Sequence, residues 1–242
     1  MFQKQKQNTF YCFSPLVMIL TFIIEIGLFV YVLFRYKASR VQRIALLTLL
    51  TLAAFQLAEY NVCTTGYAGE VWSRLGFAAI TALPPLGIHL AYALAKKPAN
   101  RIVGLAYVTG VLWATTFLLS PAVFSGHQCT GNYVVFQLQQ GLSNIYPLYY
   151  YGWLLVGIAL ASRLASGSRS KKVKKALRWQ IIGYGAFIVP TTFVNIVNPS
   201  TTAGIPSIMC GFAVIFAVIL GLRVMAGQKH AKYARWRDVF SN

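Results

Sequence analysis

Acidic side chains are nearly missing from this sequence. Its 242 residues include only four, Glu25, Glu59, Glu70 and Asp238, and three histidines, His89, His127 and His230. A metal-dependent hydrolase needs several His, Asp or Glu groups at one depth. Residues this few and this scattered give no expectation of a catalytic site, a metal or a cofactor. Cysteine is sparse too: Cys12, Cys63, Cys129 and Cys210, with no CxxC pair. The last long apolar run, IPSIMCGFAVIFAVILGL, contains no lysine, which excludes retinal Schiff-base chemistry. Charged residues of either sign make up 11% of the chain, against about 25% in soluble domains. So small a polar share cannot cover a water-soluble surface, and the solvent must be lipid.

What fills the chain instead is apolar: 57% of residues, with a mean hydropathy of +0.59. A membrane-spanning helix needs roughly 20 such residues to cross about 30 Å of hydrocarbon. Seven stretches qualify, at about 14–34, 44–62, 72–95, 102–119, 142–161, 179–197 and 205–222. The polar first 13 residues lead into a run without a small-x-small cleavage site, so that run reads as a retained span. The expected fold is an all-α, seven-transmembrane-helix bundle over 14–225, with an external segment 1–13 and a basic tail 226–242. Of the 22 basic residues, all but Lys4, Lys6 and Arg74 follow spans one, three, five and seven. The positive-inside rule then puts the amino terminus outside and the carboxyl terminus in the cytoplasm. The net charge of +18 sits between spans rather than on one folded face, which argues against a nucleic-acid partner.

Ionisable groups at membrane depth are rare and usually face a bundle interior or a cavity. Glu25 falls near the middle of span one, Glu59 in the outer third of span two, and Arg74 at a similar depth in span three. Across the short 63–70 loop, Glu59 and Arg74 can meet as an ion pair, with Glu70 as a rim alternative. They can equally line an outward-facing pocket, together with Tyr60, Tyr150 and Asn195. Pro84 and Pro85 remove two donors from the middle of span three and mark a hinge. His89 follows one turn later and is the sixth candidate ligand-binding residue. The tyrosines at the start of span five read as an interfacial belt or as an aromatic wall to the pocket. Cys63 and Cys129 are the preferred disulfide pair, tying the long outer loop over the bundle mouth, and Cys12 is the competing partner. The run Arg169, Lys171, Lys172, Lys174, Lys175, Arg178 suits an anionic cytoplasmic leaflet or an acidic partner protein.

The order of these features resembles the seven-span amino-terminal sensor region of bacterial membrane histidine kinases. The likeness rests on LAAFQLAEY ending span two, WSRLGF opening span three and PPLGIHLAYAL after it. A tyrosine-rich span five and ALRWQIIGYGAFI at span six complete it. Glu59, Arg74, Pro85 and His89 match the pattern. The resemblance implies a receptor module, without enzymatic activity, that senses a small molecule or lipid in a prokaryotic plasma membrane. Kinase elements do not follow span seven, so a cytoplasmic signalling partner would carry the output. Two other classes stay open: a proton-coupled carrier using Glu25 and Glu59, and a structural or accessory subunit of a membrane complex.

Overall fold

Long apolar runs without interior breakers form helices wherever backbone groups must be satisfied within the segment, and this chain follows that rule almost throughout. The structure is a computed structural model that describes residues 15–64, 69–120, 122–130 and 133–228. Its helices are α1 (Pro15–Arg35), α2 (Arg40–Thr64), α3 (Gly69–Thr81), α4 (Leu83–Leu94), α5 (Arg101–Leu119), α6 (Gln140–Gly167), α7 (Lys171–Val197) and α8 (Ile205–Ile219). A short 3₁₀ turn, Pro199–Gly204, precedes α8, and a π-helical segment, Leu220–Val224, extends it. With α3 and α4 counted as one span and α8 joined to its flanking turns, seven helical stretches are long and apolar enough to cross a membrane.

Two corrections to the expected fold have clear physical causes. The 120–139 connection is not a plain loop. It holds an antiparallel pair, β1 (Phe124–Cys129) and β2 (Val134–Leu138), so the fold is mostly helical rather than all-α. Alternating VVF with β-branched residues favours the pleat, and the amide of Thr130 closes the hairpin on the Tyr133 carbonyl at 3.1 Å. The second correction concerns the basic run. Helix α7 begins at Lys171, so Lys171 to Arg178 form its first two turns instead of a loop.

The third span is the axis of the bundle. In its most apolar stretch 78% of residues are buried within the protein, against 22% for α1 and for α5, which form the skin. Leu16, Ile23, Leu105, Val108, Val111 and Leu112 are exposed on those outer helices, an apolar surface of the kind lipid solvates. Local chemistry fixes the turns between helices. The Gln42 amide donates to the carbonyls of Val32, Leu33 and Tyr36 at 2.9–3.1 Å, capping the end of α1 from α2. Asn100 caps α5 by accepting from the Val103 amide, satisfying a donor that the first helical turn leaves free.

Candidate functional site

The centre of the molecule is the break in span three. Proline has no amide hydrogen, so Pro85 cannot bond the Thr81 carbonyl four residues back. That carbonyl is taken up by the Tyr149 hydroxyl of α6, which donates to it at 2.8 Å. The Thr81 hydroxyl reaches the Phe77 carbonyl at 2.6 Å and the Tyr146 hydroxyl at 3.0 Å. Ala82 forms the single-residue joint between α3 and α4. The helix break thus falls at Ala82, just before Pro84 and Pro85, and Tyr146 and Tyr149 of α6 bond to Thr81 beside it.

Beside the junction lies a narrow internal cavity of about 20 Å³, lined among others by Leu83, Gly87, Tyr150, Tyr184, Cys210 and Phe216. That volume holds about one water molecule. Its wall needs glycine at 87, because a Cβ there would overlap the Tyr184 hydroxyl. The Gln180 amide of α7 donates to the Gly87 carbonyl at 2.7 Å, while its own buried carbonyl oxygen has no partner. Tyr146, Tyr149 and Tyr150 are all buried. They point into the bundle and do not form an interfacial belt.

The hairpin closes the end of the bundle above this cavity. Cys63, at the end of α2, is disulfide-bonded to Cys129 of β1, as the sequence suggested. Cys12 lies outside the described residues. Beneath the hairpin Phe77 meets Phe117, Phe124, Phe136 and Tyr146 with ring centroids 5.1–5.7 Å apart. The Tyr133 ring sits on Gly204, where any side chain would collide with it. The Val134 amide donates to the Ser207 hydroxyl of α8 at 3.2 Å.

The residues expected to share one pocket are divided among several places. Glu59 does not pair with Arg74. Arg74 instead binds Glu70 at 2.6 Å, the rim alternative, and donates to the Ser120 carbonyl at 2.7 Å. One turn of helix separates Glu70 from Arg74, and a local i,i+4 pair forms more readily than one between helices. Glu59 is 1% exposed, with its Oε1 unpartnered. Asn195 accepts from the Thr202 hydroxyl at 2.9 Å, and Tyr60 is partly buried against the core. Of the six expected ligand residues, only Tyr150 lines the cavity.

His89 belongs to the opposite end. The Arg40 guanidinium donates to its Nε2 at 2.8–3.1 Å and to the Lys97 carbonyl at 3.3 Å. With Nε2 accepting, Nδ1 carries the hydrogen and donates to the Tyr107 hydroxyl at 2.9 Å. Along α2, Arg40 stands ~28 Å from Glu59 at 1.5 Å per residue, so His89 and Glu59 cannot hold one small ligand. At that same end Lys171, Lys174, Lys175, Arg178, Trp179 and Ile182 line an open groove of about 410 Å³. Arg223 lies 5.5 Å above the Trp179 ring. Arg169 and Lys172 are exposed beside it.

Sequence reasoning missed the third-span clamp, Tyr149. The orphaned carbonyl that any mid-helix proline creates was the available signal for Tyr149. Among the described residues no three His, Cys, Asp or Glu side chains are placed to hold a metal ion. Neither a protein-family model nor a curated protein matches this chain.

Proposed function

We propose that this protein is a receptor-like membrane sensor of a prokaryotic plasma membrane. Its disulfide-tied hairpin would face outside and its basic end the cytoplasm. The observation that carries this reading is the mechanical continuity between the two ends. The hairpin is fastened to α2 by Cys63–Cys129 and to α8 through Val134 and Ser207. Helix α2 then runs to Arg40, which grips His89 on α4, the helix that begins at the proline junction. A displacement of the hairpin thus acts on the joint at Ala82 and, through it, on the basic end. The stimulus class that suits an aromatic-lined interior is a small apolar molecule or a lipid chain, entering beside Tyr150 when the joint opens. The basic groove on α7 would present the output to an acidic partner protein or to the anionic leaflet. The carrier reading has less behind it, because neither Glu25 nor Glu59 lines the cavity.

Spin–spin distances between labels at Ala38→Cys and Gly167→Cys, in a Cys12→Ser, Cys210→Ser background, test this reading. Cutting the chain at the hairpin end with Ser207→Ala, or removing the joint with Pro85→Ala, should change the distance distribution at the basic end. Unchanged distributions in both variants would reject transmission between the ends, and the sensor reading with it.

A further inference from the structure

The first two turns of α7 gather cations without a counter-charge. Lys171, Lys174, Lys175 and Arg178 line the open groove of about 410 Å³ together with Trp179 and Ile182. Their spacing of three and four residues puts all four on one face of the helix. Among the described residues no side chain forms an ion pair or hydrogen bond with them. Of the chain's four acidic residues, Glu25 and Glu59 are buried, Glu70 is taken by Arg74, and Asp238 lies outside the described residues. Like charges at this spacing repel one another, and an anion among them relieves the repulsion.

Beyond the cations the same face turns apolar. Ile182, Val189, Phe193 and Ile196 follow Arg178 at the spacing of one straight helical stripe, and each is at least half exposed. Gly185 lies on that stripe between Ile182 and Val189. A Cβ there would meet nothing within 4 Å, so a trough stays open along the helix. From Ile182 to Phe193 the stripe covers ~16 Å at 1.5 Å per residue, about half of the ~30 Å hydrocarbon layer. Trp179 stands where basic changes to apolar, with Arg223 5.5 Å from its ring, and tryptophan favours the membrane–water interface. A soluble acidic protein would meet the cations but not the stripe, which lies at hydrocarbon depth. An anion that carries a hydrocarbon chain meets both.

We infer that this face of α7 holds one anionic phospholipid of the cytoplasmic leaflet, with its phosphate among Lys174, Lys175 and Arg178 and one acyl chain along Ile182, Gly185 and Val189. Clustered Lys and Arg beside a membrane attract anionic headgroups, and the trough at Gly185 gives the chain a defined path. The groove named in the proposed function is thereby committed to a lipid instead of an acidic protein. The inference rests on that reading only for the cytoplasmic placement of the basic end and needs no transmission from the hairpin.

The test adds dioleoyl phosphatidylglycerol or dioleoyl phosphatidylcholine to the full chain in an uncharged detergent, and native mass spectrometry counts the lipids retained. Wild type should keep one phosphatidylglycerol at least about ten-fold more tightly than phosphatidylcholine. The triple variant Lys174→Gln, Lys175→Gln, Arg178→Gln should lose that preference. A control triple, Lys96→Gln, Lys97→Gln, Arg101→Gln, removes the same charge at the same end and should keep it. Gly185→Leu changes no charge and should weaken phosphatidylglycerol at least about three-fold by filling the trough. Equal retention of the two lipids by wild type would overturn the inference. So would a control triple as damaging as the groove triple, because diffuse charge would then suffice, or a Gly185→Leu variant that binds as wild type does. Displacement of the lipid by an equal concentration of inorganic phosphate or of a poly-glutamate peptide would overturn it as well, by showing a soluble anion to be the better occupant. Lipid retention in detergent requires no movement between the ends, so its failure and a failure of the spin-label distances are separate results.

Discussion

At Pro85 the third span loses one donor, and the consequence falls on a single atom, the Thr81 carbonyl. Tyr149 satisfies it from another helix. Replacing Tyr149 by Phe keeps the ring and removes only the hydroxyl, leaving a buried acceptor unpaired at a cost of about 1–3 kcal/mol. Thermal unfolding in detergent should show a lowered Tm, and a variant as stable as wild type would mean that water or another group replaces the clamp. The donor deficit itself was legible in the sequence, because two adjacent prolines inside an apolar run leave carbonyls free wherever the helix continues. Which side chain answers was not legible, since Tyr146, Tyr149, Tyr150 and Tyr151 all offered a hydroxyl within two turns. The same holds for Arg74. Its sequence neighbourhood offered two carboxylates, and the one on its own helix, Glu70, took it.

The hairpin is the element whose behaviour is most exposed to test. Its strands pair over only five or six residues, and a two-stranded pair of that length is marginal by itself. It is held by Cys63–Cys129, by the aromatic cluster around Phe77, and by the fit of Tyr133 on Gly204. In a Cys63→Ser, Cys129→Ser variant, amide hydrogen exchange over residues 134–138 should quicken at least about ten-fold, with the core of α4 unaffected. Exchange that stays at the wild-type rate would show that the aromatic cluster alone fixes the hairpin. The disulfide was readable from the placement of Cys63 and Cys129 on one expected side. The strands were not read, because a short alternating run such as VVFQL is overshadowed by the much longer helical segments around it.

At the scale of the whole molecule the decisive prediction is orientation. A periplasmic-active reporter fused after residue 130 should be active, and the same reporter fused after residue 170 inactive. The reverse pattern would turn the protein over, placing the hairpin in the cytoplasm and removing the outward-facing role proposed for it. The sequence by itself determined the number of helices long and apolar enough to cross a membrane, the expected side of each loop and the position of the helix break. These follow from transfer free energy, loop charge and missing donors, all of which act locally and are written in consecutive residues. Only the tertiary structure decided how the polar residues were divided. It sent Arg74 to Glu70 and His89 to Arg40 at the far end, and buried Glu59 with its Oε1 unpartnered. The physical reason is that partner choice between helices depends on rotation about each axis and on which side chains reach across. A run of uniformly apolar residues, with no polar face to turn inward, leaves that rotation unspecified.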